Sequence, residues 1–502
     1  LVRTVCALKN VDDQTIRRVF WVAFAVVVAA YYPRFANNPA GLSLYLEAAK
    51  CLLRDEVLQQ CQPLFTYPPA FAFFMIPLAP LPMWLRNIVW YAITIGGSVA
   101  CYRMCEALAR RFVSGEWTDR QIIWLRGLSL VLCLKFLLAV LENQAYDTFA
   151  FLFLLAGLVS LASGRDVFAG CGLGLAAAIK ATPLIFLPYL LFKRRFAAAA
   201  AFVAAFMAVS LLPDLFFTPA GGTAGYFLTW VREVAGAGLG NDPATAKHAF
   251  WVGPNLLNHS LRGAVSHIVS DVAEPRLHAT ILYIAYGAFI ALAALLLACS
   301  PRRRELTALD GSVLVIGMLM LSPMTSRSHY VVLLLPYTTL AAAWLHDRSK
   351  RGLGGAVLLA SFVLATATSN DLVGTAVSEW AYGHGLLVLG ALVLLIYVAS
   401  LVRQAGQRDE GITGPRPNRQ RLGGVLYRLA TFVAAALAVT ALALFFEPIL
   451  HKRIVVTIAT CGALLTWSLG AACLYLLAGR RPSWRLHARG SNSEVGTYQS
   501  RA

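Results

Sequence analysis

Carboxylates, cations and side-chain amides crowd into a few short patches of an otherwise apolar chain. They are the loop 36–69 with Glu47, the run 142–147 with Glu142, Gln144 and Asp147, the isolated Lys180, and the strings Asn258-His-Ser-Leu-Arg-Gly263 and Ser322-Pro-Met-Thr-Ser-Arg-Ser-His329. Such groups are costly in lipid, so their gathering on one face marks a site. A carboxylate can take up a proton, Lys180, Arg262 and Arg327 can meet an anion, and Asn143 and Gln144 suit hydroxyl groups. Outer-face acids are too sparse for a divalent-metal cage, so neither a metal nor another cofactor is expected.

The elements that must position these groups are membrane helices. Of 502 residues, 58% are hydrophobic and 14% charged, with a mean hydropathy of +0.65. Apolar runs of about 17–25 residues, each long enough to cross hydrocarbon, recur along the chain. Most are apolar all round instead of on one stripe, which excludes an ordinary soluble domain. The class is all-α, a polytopic membrane protein. The net charge of +18 does not indicate nucleic-acid binding, because basic residues such as Arg17-Arg18, Lys193-Arg-Arg195 and Arg302-Arg-Arg304 fall in alternate short loops. That is the positive-inside pattern.

Placing those loops in the cytoplasm predicts helices near 19–33, 86–105, 124–141, 147–163, 196–216, 279–299, 309–322, 330–346, 354–369, 384–402, 425–446 and 454–478. The stretch 167–192 reads as two short helices turning near Lys180. The total is about 12–14 transmembrane helices at bilayer-spanning length. The apolar stretch 67–82 carries Pro68, Pro69, Pro77, Pro80 and Pro82, which reads as a re-entrant or interfacial segment of the first outer loop. Residues 42–53 suggest an amphipathic helix on the membrane surface. The domain reading is a membrane body over 1–402, a cytoplasmic linker over 403–424, two appended helices over 425–480 and a polar tail over 481–502. No cleavable leader is expected from the first residues. Cys51 and Cys61 share the first outer loop, where an oxidising compartment would allow a disulfide. Lys135, mid-span and seven residues before Glu142, demands a structural partner.

Five motifs in order resemble glycosyltransferase family 87, the polyprenyl-phosphate-sugar-dependent hexosyltransferases best known as mannosyltransferases. They are Gly41-Leu-Ser-Leu-Tyr-Leu-Glu-Ala-Ala-Lys-Cys-Leu-Leu53, Phe65-Thr-Tyr-Pro-Pro69 with Pro77-Leu-Ala-Pro-Leu-Pro82, Gly172-Leu-Gly-Leu-Ala-Ala-Ala-Ile-Lys-Ala-Thr-Pro183, the Asn258 string and the Ser322 string. The resemblance covers roughly 19–400 and implies a C-type glycosyltransferase architecture in the plasma (inner) membrane. It implies a polyprenyl-phosphate sugar donor entering from the bilayer and a glycolipid or glycan acceptor on the extracytoplasmic face. Inversion at the anomeric carbon is implied as well. Negative charge builds on the departing phosphate, for which Lys180, Arg262, Arg327 and His329 are the candidates. Asn258, His259, Ser260, Gln144 and Tyr67 are candidates for donor or sugar contacts.

The chain departs from the family pattern at two places. Gly41 stands where members carry an aspartate, four residues before the tyrosine equivalent to Tyr45. Glycine is no base, which leaves three readings: Glu47 substitutes, Glu142 or Asp147 does, or the chain is a non-catalytic relative acting as a lipid-linked sugar transporter or accessory subunit. Ser326-Arg-Ser-His329 replaces the usual Trp-x-His-His.

Overall fold

The computed structural model describes residues 13–38, 40–113, 115–221, 224–235, 255–269, 275–302, 304–346 and 351–413. The chain divides into two compact units, 1–437 and 438–502. All described residues belong to the first. The predicted helices at 425–446 and 454–478 lie outside the described residues, as does the tail.

Among the described residues the fold is helical throughout. Met83–Phe112, Asp119–Glu142, Leu277–Cys299, Arg327–His346 and Leu386–Ala405 are long and apolar enough to cross a membrane. Others at predicted positions have only 14 to 16 residues: Asp147–Ala162, Asp166–Ile179, Phe196–Ser210 and Thr307–Leu321. At a rise of 1.5 Å per residue they reach about 21–24 Å, less than the hydrocarbon thickness. Among the described residues five helices thus meet the full length by size and composition, in keeping with a polytopic membrane protein. The helix Leu386–Thr413 runs on into the stretch read as a linker from 403.

Local chemistry sets the helix ends. Thr118 and Gln121 form a reciprocal capping box that starts Asp119–Glu142. The proline-rich 67–82 stretch folds as the short helix Pro69–Met75 and the turn Ile76–Leu78, about 15 Å in all and half a bilayer. The Ala40–Leu53 helix does not lie free on a surface. Leu42, Tyr45, Leu46, Ala49 and Leu52 are buried, and Tyr45 packs edge-on against Phe71 and Tyr146. A disulfide joins Cys51 to Cys61 and closes the loop that follows.

The glycine-rich helix Asp166–Ile179 is a packing element. A Cβ on Gly170 or Gly174 would press into the backbone carbonyls of Ala198 and Phe202, so these glycines let Phe196–Ser210 approach closely. The helix stops just before Lys180, which is extended (φ −143°, ψ 119°), and a turn over Thr182–Ile185 opens with Pro183. The break frees Lys180 from a helix face and turns it into the protein interior.

Candidate functional site

Two segments distant in sequence converge on Asp147, the first residue of the helix Asp147–Ala162. Lys180 Nζ lies 2.5 Å from Asp147 Oδ1, and Ser328 Oγ donates to Oδ2 at 2.8 Å. His329 Nε2 stands 3.6 Å from Oδ1, close enough for charge but too far for a hydrogen bond. His329 Nδ1 accepts from the Ser326 backbone N–H, which in the neutral ring leaves the proton on Nε2, facing the carboxylate. The Lys180 ammonium also lies 5.2 Å from the centre of the Tyr146 ring. Asp147 is 3% exposed, so a carboxylate has been taken out of water with a full set of partners.

Asp147, Lys180 and His329 line a cavity of about 20 Å³, closed further by Phe151, Thr182, Ser322 and Thr325. That volume is room for about one water molecule. A sugar needs far more, so substrate entry requires the walls to part. Tyr67 packs on Tyr146, ring centres 4.6 Å apart, and Tyr45 packs on both. Burial foremost, then the nearby Asp147 charge, pushes the Tyr67 phenol well above its usual pKa.

The other predicted site residues separate into distinct roles. The Asn258 side chain is spent on the backbone: Nδ2 donates to Pro323 O, while Oδ1 accepts from the Ser260 and Thr325 N–H groups. The His259 N–H donates to Thr325 O, and Tyr330 OH donates to His259 O. Ser260 Oγ accepts from the Gly263 N–H. The Asn258 string is thus a clamp that fixes the Ser322–His329 loop, and through it Ser328 and His329. Arg262 is buried and lies against the Tyr286 phenol. Burial pushes the His259 imidazole down to about 3, helped by the charges of Arg327 and Lys135.

Gln144 differs from its expected sugar-binding place in that its amide is already occupied. Nε2 donates to Phe35 O and Oε1 accepts from the Leu42 N–H, which stitches the end of Asp13–Ala36 to the start of Ala40–Leu53. Glu142 pairs with Arg34 at 3.0 Å and accepts from Tyr31 OH, away from Lys180. Glu47 pairs with Lys50 at 2.7 Å and is half-exposed. It lies two residues from buried Tyr45, hence on the opposite helix face. Lys135 does have a structural partner, though not Glu142: it donates to Ala365 O and Thr368 Oγ1.

Gly41 is held by contact. A Cβ there would stand 2.0 Å from the Asn143 carbonyl oxygen, so the helix backbone touches the 143–144 turn. No side chain fits at that position without moving one of them. Sequence reasoning missed Ser328, whose neighbours in sequence gave no sign that it, and not the residue beside it, would donate to Asp147.

Residues 65–323, more than half of the chain, match glycosyltransferase family 87. Over 310 residues the chain is 30% identical to a polyprenol-phosphate-mannose-dependent alpha-(1-2)-phosphatidylinositol pentamannoside mannosyltransferase of Mycobacterium tuberculosis (strain CDC 1551 / Oshkosh). That alignment covers 59% of this chain and 61% of the relative, less than two thirds of its length. No solved structure matches.

Proposed function

The chain belongs to glycosyltransferase family 87, and from that premise we propose that it transfers a hexose, most readily mannose, from polyprenyl phosphate to a glycolipid or glycan hydroxyl. The transfer takes place on the extracytoplasmic face of the plasma (inner) membrane. The observation that carries this reading is the Lys180–Asp147 pair with Ser328 and His329, which brings two of the segments that carry the family resemblance onto Asp147.

In this reading the pair is a resting state that the donor rearranges. The donor phosphate draws Lys180 toward itself, with His329 beside it, and balances the charge that grows on the leaving oxygen. Asp147, released from its strongest partner, becomes the base that the chain otherwise lacks. It takes the proton of the acceptor hydroxyl, whose oxygen attacks the anomeric carbon. The bond from that carbon to the phosphate oxygen breaks, its electron pair leaves on polyprenyl phosphate, and the anomeric configuration inverts. Tyr67 packs beside this centre through Tyr146, while Asn258, Ser260 and Gln144 act by positioning.

The test is to incubate purified protein with polyprenyl-phosphate mannose and a membrane glycolipid extract and to measure polyprenyl phosphate released. Release that Asp147→Asn abolishes supports the reading. The sidedness is tested by placing a cysteine at Ala244 and one at Gly406: an impermeant thiol reagent outside intact cells should label the first alone. A second reading, a non-catalytic relative that carries or presents lipid-linked sugars, is favoured by Gly41, where the acid usual in the family has been replaced and no room is left for one. No release from the folded wild-type protein with any lipid-linked hexose would select it.

A further inference from the structure

A second polar cluster lies beside the loop that carries Ser328 and His329, and its charges do not balance. Lys135 Nζ and the Arg327 guanidinium approach the same ring, 5.2 Å and 5.9 Å from the centre of Tyr382. Lys135 spends two N–H groups on Ala365 O and Thr368 Oγ1. Among the described residues no carboxylate pairs with either cation, and the Arg327 guanidinium makes no hydrogen bond. The Tyr382 hydroxyl is buried without a partner. Two cations thus meet at one aromatic ring, where an isolated charge is costly and demands a counter-charge, and the hydroxyl of that ring is left without a partner.

The surroundings indicate what form the counter-charge takes. Lys135 sits seven residues from the end of Asp119–Glu142, about 10 Å along the axis. Val131, four residues before Lys135 on the same helix face, is exposed, as are Leu134 beside Lys135 and Val363 on the neighbouring helix. An anion held at the cations would therefore have apolar surface beside it for acyl chains. A phosphate oxygen accepts from both the forked guanidinium and the point-like ammonium.

We propose that Lys135, Arg327 and Tyr382 bind the phosphate of an anionic membrane phospholipid, at a site separate from the Lys180–Asp147 pair. This inference does not rest on the transferase reading. The loop 326–329 borders both sites: Ser328 and His329 face Asp147, while Arg327 turns to Tyr382.

The test uses the full chain in neutral detergent and native mass spectrometry with phosphatidylglycerol, phosphatidylcholine, polyprenyl phosphate and inorganic phosphate. Phosphatidylglycerol should be retained about tenfold more strongly than phosphatidylcholine, the scale of one or two charge-assisted hydrogen bonds. Arg327→Gln should remove most of that preference, and Tyr382→Phe, which keeps the ring, should weaken it by a few-fold, about one neutral hydrogen bond. Lys135→Met should remove the preference and, in lipid-free protein, leave the melting temperature equal or higher. Lys180→Ala should leave the preference intact even where transfer is lost, which separates this test from that of the proposed reaction. Equal retention of the two phospholipids overturns the proposal, as does an Arg327→Gln protein that keeps the preference. Displacement by polyprenyl phosphate at equal concentration would make this the donor's site, and displacement by inorganic phosphate would make the ligand free phosphate; either result overturns it. A Lys135→Met protein that melts lower and still prefers phosphatidylglycerol would reduce Lys135 to a staple for the Ala365 turn and also overturn it.

Discussion

Lys180–Asp147 and Lys193–Asp310 are both lysine–aspartate pairs withdrawn from solvent, yet their surroundings differ in kind. Lys193 sits 3.0 Å from Asp310 Oδ2 and donates also to Ser300 O, while Tyr189 OH donates to the same carboxylate. The partners of that pair come from the neighbouring segments Phe186–Phe192 and Thr307–Leu321, and both side chains are almost wholly buried. Lys193 and Ser300 also border a pocket of about 400 Å³ next to Arg302, but Asp310 does not line it. Lys180 and Asp147 both line one small cavity together with His329, which stands beside them beyond hydrogen-bond range. A pair with an unbonded polar neighbour that close has an exchange of partners available to it; the Lys193–Asp310 pair, whose neighbours Ser300 and Tyr189 are already bonded to it, does not. Burial and distance alone would rank the two equally, so what lies next to the pair distinguishes a site from a strut.

The largest expected effects set these pairs against each other. Asp147→Asn should lower turnover by roughly 10²–10⁴, the usual worth of a positioned base. Asp310→Asn should leave turnover per folded molecule within about twofold but strand Lys193, at a stability cost of about 3–5 kcal/mol read from thermal unfolding. The reverse pattern, with stability lost at 147 and turnover at 310, would exchange the roles assigned here. Lys180→Ala should depress kcat more than it raises KM, and Lys180→Arg should recover little if a compact point charge is needed.

The next effect concerns the position where the usual acid is missing. Gly41→Ala should cost about 1–3 kcal/mol, since even one methyl group overpacks the 143–144 turn. Gly41→Asp should therefore destabilise the protein and should not restore a base. A melting temperature unchanged in Gly41→Ala would mean that the helix and turn do not touch.

A smaller effect depends on pH. The His259 imidazole has a folded-state pKa of about 3, pushed down first by burial, against about 6.5 when unfolded. Between those values the unfolded chain binds the extra proton, so stability is full above about pH 6.5 and falls as pH drops. His259→Gln should flatten that decline in unfolding measured from pH 6.5 to 4.5. An equally steep curve would assign the acid sensitivity to other groups. The smallest effect is expected at Glu47, whose partner is the half-exposed Lys50. Glu47→Gln should alter turnover by less than about twofold and stability by less than about 1 kcal/mol, and a hundredfold loss would return it to the role of base.

Hydropathy is a local sum over neighbouring residues, and it carried most of the fold. Composition alone determined a helical membrane protein, and the placement of helices around 86–105, 124–141 and 279–299 agrees with the structure. The break at Lys180 was legible because Pro183 and the charges flanking 167–192 leave a continuous helix no place. The short spans were not, because a run of apolar residues does not state how many of them stay helical. At the site, residue types were legible and partners were not. Lys180, Asp147 and His329 all stood out as candidates, but the ion pair closes across 33 residues and the Ser328 hydrogen bond across 181. Only the packing of three helical segments decides such contacts. The same packing decided that Gln144 and Asn258 hold backbone, that Gly41 has no space beside it, and that Lys193, read as one of a basic run, is a buried strut. A side chain's type is written in the chain; whether its donors and acceptors are already spent depends on which distant groups the fold brings within about 3 Å.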